Sequence, residues 1–175
     1  MLFFNAMFFL AMIFPSPLQD PQSSEWNKKS TFTTDHQVEF PGIVLEPGVY
    51  VVSLRESGSK RSVVQILSQD ETQVLASLVA VPDHRMRPED SSEFTFHQVK
   101  GDGPAPVQTW FYPGDLVGLE FVYSKARARE IAKDSDDHVM ASNGTKDSAI
   151  VAVTPNGKEI VIDGQVSQTA RQKRQ

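Results

Sequence analysis

The stretch V-E-F-P-G-I-V-L-E-P-G-V-Y-V, residues Val38–Val51, decides the fold class because two Pro-Gly pairs punctuate a run of β-forming residues. Proline presets φ for the first central position of a type II turn, and glycine accepts the positive φ of the second. A third pair follows at Pro113-Gly114. Three such turns in one domain are difficult to reconcile with a helical fold, so the pattern predicts short strands joined by tight turns.

Runs of β-branched and aromatic residues continue this rhythm on both sides of the stretch, with turn residues between them. We predict eight strands, which cover Ser30–Thr34, Gln37–Phe40, Val49–Leu54, Val63–Leu67, Val74–Val81, Glu93–Val99, Val107–Tyr112 and Leu119–Tyr123. The spacing favours a mainly β fold: a single antiparallel β-sandwich or partly open barrel with one short C-terminal helix.

Two of these strands carry patterns that predict how they are buried. Glu93–His97 alternates, so Phe94 and Phe96 are expected on one face and His97 on the polar face. Leu75–Val81 is almost continuously apolar. Such a run predicts a central strand that is covered on both sides.

The C-terminal third combines one helical segment with polar sequence. Ser124–Lys133 is rich in alanine, arginine, lysine and glutamate, with Ser124 as the N-cap. We therefore predict a short helix that ends a β domain at residues 28–133. Residues 134–175 are predicted to form a polar, acidic linker, a β-hairpin within Ile150–Ile162 that turns at Pro155-Asn156-Gly157, and a disordered tail.

The N-terminus predicts export. From Leu2 to Phe14 the chain is almost wholly apolar, and as a helix this run would span roughly 20 Å, short of the roughly 30 Å hydrocarbon core of a bilayer. We interpret residues 1–19 as a signal peptide or short hydrophobic anchor and residues 20–27 as a linker. A buried hydrophobic segment is the alternative. We expect a periplasmic or extracellular protein that meets the membrane only through this N-terminal segment.

The amino-acid composition argues against several kinds of functional site. The chain has no cysteine, which removes disulfides, thiolate nucleophiles, cysteine-based zinc sites and iron–sulfur clusters. The formal net charge of −5 opposes nucleic-acid binding, which needs a basic footprint. The histidines, His36, His84, His97 and His138, include no pair at the spacing of a metal clamp. We therefore predict no metal, no cofactor and no nucleic-acid partner, and we assign no catalytic residue.

Three segments in a fixed order carry a resemblance to a known family. They are W-N-K-K-S-T-F-T at Trp26–Thr33, the Val38–Val51 stretch, and W-F-Y-P-G-D at Trp110–Asp115 followed by Gly118–Tyr123. Together they resemble a family of small exported bacterial proteins of unknown function, which implies export but no particular activity. Within the second segment, Leu45–Tyr50 is similar to the strand-entry turn of many sandwich modules, in which the tyrosine packs inward and bonds its hydroxyl to nearby backbone.

The aromatic segment Trp110–Asp115 is a candidate binding element. Alternation along its strand sends Trp110 and Tyr112 to one face and Phe111 to the other. If Phe111 faces the core, two large aromatic rings lie outside, as is favoured at binding surfaces. If the reverse holds, Trp110 and Tyr112 are core residues.

The loop that leaves the Val74–Val81 strand contributes the charged candidates. Arg85 and Arg87 can donate to anionic groups, although a solvated connection is the alternative. With Trp110 and Tyr112 they are the predicted ligand-binding residues. We predict an exported, non-catalytic binding or envelope-associated structural module whose partner is an envelope polysaccharide or protein. The alternative is a small exported enzyme that acts on envelope material with a site assembled from distant residues.

The export prediction is testable with a reporter fused after Ser24. The apolar run should carry the reporter across the inner membrane, because targeting machinery reads such a run. Replacing Phe8 and Leu10 with aspartate should keep the fusion inside the cell, which fractionation would show. A wild-type fusion that stays cytosolic would contradict the signal-peptide interpretation.

Overall fold

A computed structural model describes residues 28–58, 60–144 and 148–162, so the predicted signal peptide, the linker at 20–27 and the tail from Asp163 lie outside the described residues. The described part is mainly β with one short helix, which confirms the predicted fold class. Its elements are β1 (Lys29–Thr34), β2 (Val38–Phe40), β3 (Ile43–Leu45), β4 (Gly48–Ser57), β5 (Ser62–Ser68), β6 (Val74–His84), β7 (Glu93–Phe96), β8 (Ala105–Phe111), β9 (Val117–Phe121), β10 (Tyr123–Ser124), α1 (Lys125–Ser135), β11 (Val139–Ser142), β12 (Val151–Val153) and β13 (Glu159–Val161).

Nine strands form one sheet in the order β1-β4-β5-β6-β9-β8-β2-β3, with β7 also paired to β8. We call it the curled sheet, because its strands β1 and β7 come back into contact. The rings of Phe32 and Phe94 lie 4.7 Å apart, and the hydroxyl oxygens of Ser30 and Ser92 lie 2.5 Å apart. Among the described residues, no backbone ladder joins β1 to β7. The sheet is therefore open along this line of side-chain contacts, which we call the seam.

Most strand pairs are antiparallel, as predicted, but two are parallel. Strand β2 runs parallel to β8, with Val38 opposite Ala105, and β10 runs parallel to β11. Strand β8 lies far from β2 in the sequence, and β10 has only two residues. The turn pattern reports only how consecutive strands are joined, so it could not indicate these two pairings.

One end of the curled sheet is closed by the β2–β3 hairpin. This hairpin connects the end of β1 to the start of β4, and it buries Val38, Phe40 and Leu45 in the main core. The Phe40 ring contacts Phe32 edge-on at 5.6 Å. Each fully buried ring of this kind stabilises the fold by about 1.5–3 kcal/mol. The Tyr50 hydroxyl donates to the Glu46 carbonyl at 2.9 Å, which confirms the predicted tyrosine contact.

The second sheet has the order β10-β11-β12-β13 and packs, with α1, against the same core. Ser124 caps α1 by accepting from the Arg127 backbone nitrogen at 3.3 Å, as predicted. The Arg127 guanidinium binds both carboxylate oxygens of Glu39, which ties the helix to the hairpin. The predicted C-terminal hairpin is present as β12 and β13. Since Val139 and Val153 lie in the main core, that core continues beyond residue 133.

Three local predictions are wrong. Strand β6 is not covered along its length, because Val74 and Val79 are 55% and 41% exposed. His97 is not on a solvated face, since only 3% of it is exposed. Gly48 begins β4 and has no positive φ, whereas Gly42 and Gly114 have φ of 81° and 77°, as their turns require. No helix in the described part of the chain is long and apolar enough to cross a membrane.

Gly118 allows a prediction about stability. A Cβ at this position would lie 2.5 Å from the ring of Phe111, which is buried. Gly118→Ala should therefore destabilise the fold by about 1–3 kcal/mol, the usual cost of overpacking. Gly103→Ala is the matched control, because nothing lies within 4 Å of its Cβ position. Urea unfolding would measure both variants, and equal midpoints would contradict the packing described here.

Candidate functional site

The end of the curled sheet opposite the hairpin is open and holds a cavity of about 380 Å³. We call this cavity the mouth. Its deep wall is apolar and includes Leu54, Pro82 and Leu119. These side chains belong to β4, β6 and β9 and point into the sheet interior because alternate residues of each strand share a face. The mouth is therefore formed by the ends of neighbouring strands rather than by one long loop.

Trp110 forms the floor of the mouth and is only 2% exposed. Its indole nitrogen donates to Ser30 Oγ at 3.0 Å, and Ser30 Oγ also lies 2.5 Å from Ser92 Oγ. The indole stacks on Phe94 with the ring planes 7° apart. Trp110 therefore joins β8 to both sides of the seam, and its polar N–H is already satisfied.

Trp110 and Tyr112 share the inner face, as the alternation predicted, and Phe111 lies on the outer face. Of the two alternatives left open by the sequence, the core placement describes Trp110. Tyr112 is half-buried, stands edge-on to Trp110 at 6.4 Å and lines the outer part of the mouth. The two rings therefore meet inside the sheet rather than on an exposed surface.

The rim of the mouth is a tight turn at Tyr112–Asp115. The Asp115 backbone nitrogen donates to the Tyr112 carbonyl at 3.1 Å, and the Gly114 nitrogen donates to the Glu89 carbonyl at 2.8 Å. This turn presents the Asp115 carboxylate, which lies 2.5 Å from the Lys28 ammonium. The same ammonium is 5.8 Å from the centre of the Tyr112 ring.

Arg85 lies at the same end as the aromatic residues, but behind the rim. Its guanidinium donates to the Asp115 carbonyl at 2.8 Å, to the Tyr112 carbonyl at 3.3 Å and to the Glu93 carboxylate at 2.9 Å. It also lies over the Phe111 ring, 4.7 Å from its centre. Arg85 thus holds the rim turn in place instead of presenting its donors to a ligand.

Arg87 is exposed and is not part of the cavity wall. The structure therefore brings Trp110 and Tyr112 together in the mouth and places Arg85 behind them. Lys28, Asp115 and the apolar wall were missed by the sequence analysis. Asp115 follows a predicted Pro-Gly turn, which is the one signal that could have identified it.

A second feature is a pair of buried polar groups outside the mouth. Glu120 is 5% exposed and lies between Val81 of β6 and Thr109 of β8. Within the described residues, neither ring nitrogen of His97 has a hydrogen-bond partner, nor does Glu120 Oε1. No group of three histidine, aspartate or glutamate side chains in the described ranges could hold a metal ion.

Burial controls the ionisation of both groups. Burial, together with the nearby carboxylates of Asp83 and Asp137, raises the pKa of Glu120 to about 8. Burial lowers the pKa of His97 to about 4, with His138 lowering it slightly and Asp137 opposing the change. Both side chains are consequently neutral near pH 6, the state in which burial costs least.

A broader groove of about 910 Å³ lies between the curled sheet and the second sheet. Val79, Val122 and Lys125 are among the residues that line it, and it reaches Gly144. Gly144 precedes residues 145–147, which lie outside the described residues. The groove is the main competitor of the mouth as a binding surface.

No protein-family model, curated protein or solved structure matches the chain. The resemblance to a family of small exported bacterial proteins therefore stays a prediction.

The buried pair predicts how stability depends on pH. Because the pKa of Glu120 rises from 4.5 to about 8 on folding, the stability that its neutral form provides below about pH 4.5 is lost as the pH rises through about 8. The pKa of His97 falls from 6.5 to about 4, so stability present above about pH 6.5 is lost as the pH falls through about 4. The free energy of unfolding should be greatest between about pH 5 and 6.5.

Glu120→Gln should remove the alkaline loss, which in the wild type is on the order of 2 kcal/mol between about pH 6.5 and 9, since His97 offsets the Glu120 effect below about pH 6.5. Glu56→Gln is the control, because Glu56 is exposed. Urea unfolding across this pH range provides the measurement. The same alkaline slope in the wild type and in Glu120→Gln would show that Glu120 is not the group responsible.

Proposed function

We propose that this protein is an exported, non-catalytic binding module that holds a small amphipathic molecule in its mouth. The proposal rests on one observation, a preformed cavity of about 380 Å³ with an apolar wall and a polar rim. Cavities of roughly 300–1,000 Å³ that are mostly apolar and carry a few well-placed polar groups are typical of small-molecule sites.

The walls of the mouth are held in place without a ligand. The Trp110 indole is fixed by Ser30 and by stacking on Phe94. The rim turn that carries Tyr112 is fixed by Arg85. A site that is already ordered loses little conformational freedom when it binds, so more of the contact energy appears as affinity.

The lining of the mouth favours binding over catalysis. Ser57 and Ser62 are part of the lining, but none of the described lining residues is a histidine that could activate them. The Asp115 carboxylate is paired with Lys28. His97 and Glu120 are not part of this wall. The enzyme alternative would need a nucleophile and a base within hydrogen-bond reach of one another, and the mouth offers no such pair among its described residues.

The proposed location is the periplasm or the exterior of the cell, and it depends on the apolar run Leu2–Phe14. In that location an envelope polysaccharide or protein is available as the partner. The dimensions of the mouth favour a single chain end, side chain or small molecule over a broad macromolecular surface.

The binding proposal can be tested with the neutral probe 4-phenyl-1-butanol. For a ligand of this size we expect a Kd around 1 mM. Val117→Asp places a charge at the rim of the mouth and should weaken binding about tenfold. Val79→Asp is the matched control, since Val79 is 41% exposed and Val117 46%, and Val79 lines the groove instead. Ligand-observed NMR titration gives the Kd values.

Retained binding in Val117→Asp together with loss in Val79→Asp would place the ligand in the groove and contradict the proposal. Circular dichroism on both variants would show whether the fold is intact. The binding proposal would also be contradicted if the probe, at a concentration about 10-fold above the expected Kd, bound neither the wild type nor either variant.

A further inference from the structure

The mouth already contains a bound ammonium group, which belongs to the chain itself. Lys28 Nζ lies 2.5 Å from Asp115 Oδ2 and 5.8 Å from the centre of the Tyr112 ring. A carboxylate and the face of an aromatic ring are the two groups that proteins commonly place around a cation. The rim therefore has the composition of a cation subsite.

The two partners in this ion pair are not equally fixed. Asp115 is held by a tight turn, and Arg85 binds its carbonyl from behind. The backbone of Lys28 is fixed by the hydrogen bond from the Leu54 nitrogen at 2.9 Å, but its ammonium is carried on a flexible four-carbon stem. The Lys28 side chain is 24% exposed. A partly exposed pair of this kind contributes little to stability, so the ammonium can be exchanged at low cost.

We propose that the mouth selects amphipathic primary amines, and that Lys28 is a built-in competitor for their ammonium site. This inference rests on the proposed function of the mouth as a binding site. The ligand ammonium binds Asp115 and lies beside Tyr112, while its apolar body packs against Trp110 and Leu119. When the ligand enters, the Lys28 ammonium moves into solvent.

An anionic ligand fits the rim less well. It could bind Lys28 only by displacing Asp115, and the Asp115 turn is held by the contacts from Arg85 and Glu89. The positive charge of Arg85 offers little compensation, because its guanidinium is paired with Glu93 behind the turn. The fixed group at the rim is thus the carboxylate, and the exchangeable group is the cation.

The test compares three probes that share one apolar body: 4-phenylbutylamine, 4-phenyl-1-butanol and 4-phenylbutyrate. At pH 7 and low salt we expect the amine to bind the wild type about fivefold more tightly than the alcohol, and the carboxylate to bind most weakly. Lys28→Met removes the competitor, so the amine should gain about a further fivefold while the alcohol changes little. Asp115→Asn should reduce the affinity of the amine to that of the alcohol or below it, because the rim then carries only the positive charge of Lys28.

Lys29→Met is the matched control, because Lys29 pairs with the exposed Glu71 and does not line the mouth. It should leave all three affinities unchanged. Equal binding of amine and alcohol in both the wild type and Lys28→Met would overturn amine selection but leave the binding site itself in place. Tighter binding of the carboxylate, lost in Lys28→Met, would identify an anion site and overturn the inference. Failure of all three probes to bind would overturn both proposals.

Discussion

The buried Trp110 indole, which donates to Ser30 Oγ and stacks on Phe94, is the group on which the seam and the mouth depend. Strands β1 and β7 share no backbone ladder in the described chain, so side chains alone keep the seam closed. Trp110 reaches both of its sides, through Ser30 on β1 and by stacking on Phe94 of β7. A buried hydrogen bond contributes about 0.5–1.5 kcal/mol. Loss of a buried tryptophan side chain costs about 3–5 kcal/mol. Packing of the indole therefore stabilises the seam more than its hydrogen bond does.

The two ends of the curled sheet differ because only one of them has a hairpin to fill it. At the closed end, the β2–β3 hairpin brings Phe40 into the core, and the Tyr123 hydroxyl bonds the Glu39 carbonyl at 2.9 Å. At the other end, the connections from β4 to β5 and from β8 to β9 are short, and the described residues there leave the mouth unfilled. The Arg85 guanidinium donates to the Tyr112 and Asp115 carbonyls and so fixes the β8–β9 connection beside the opening. The cavity, its apolar floor and its charged rim all follow from this difference.

Much of the fold could be predicted from the sequence, because turn chemistry and strand patterns are local. The eight predicted strands, the Ser124 cap and the Tyr50 contact depend on residues close together in the chain. Strand β3, which lies between two Pro-Gly pairs, was not predicted, and neither were β10 and β11. The burial of His97 and the charged rim of the mouth could not be predicted, since both depend on segments far apart in sequence. The Lys28–Asp115 pair, for example, joins residues separated by 87 positions.

The indole N–H signal of Trp110 in a ¹H–¹⁵N NMR titration with 4-phenylbutylamine shows most directly whether the mouth binds a ligand. Trp26→Phe assigns this signal, because the chain has two tryptophans. If the mouth binds the amine, the Trp110 signal shifts with saturation, together with the backbone amides of Asp115 and Leu119, because ring and charge effects act over a few ångströms. The backbone amides of Val79 and Val122 in the groove should stay in place. Saturable shifts confined to the groove, with an unchanged Trp110 indole, would contradict the claim that the open end of the curled sheet is the binding site.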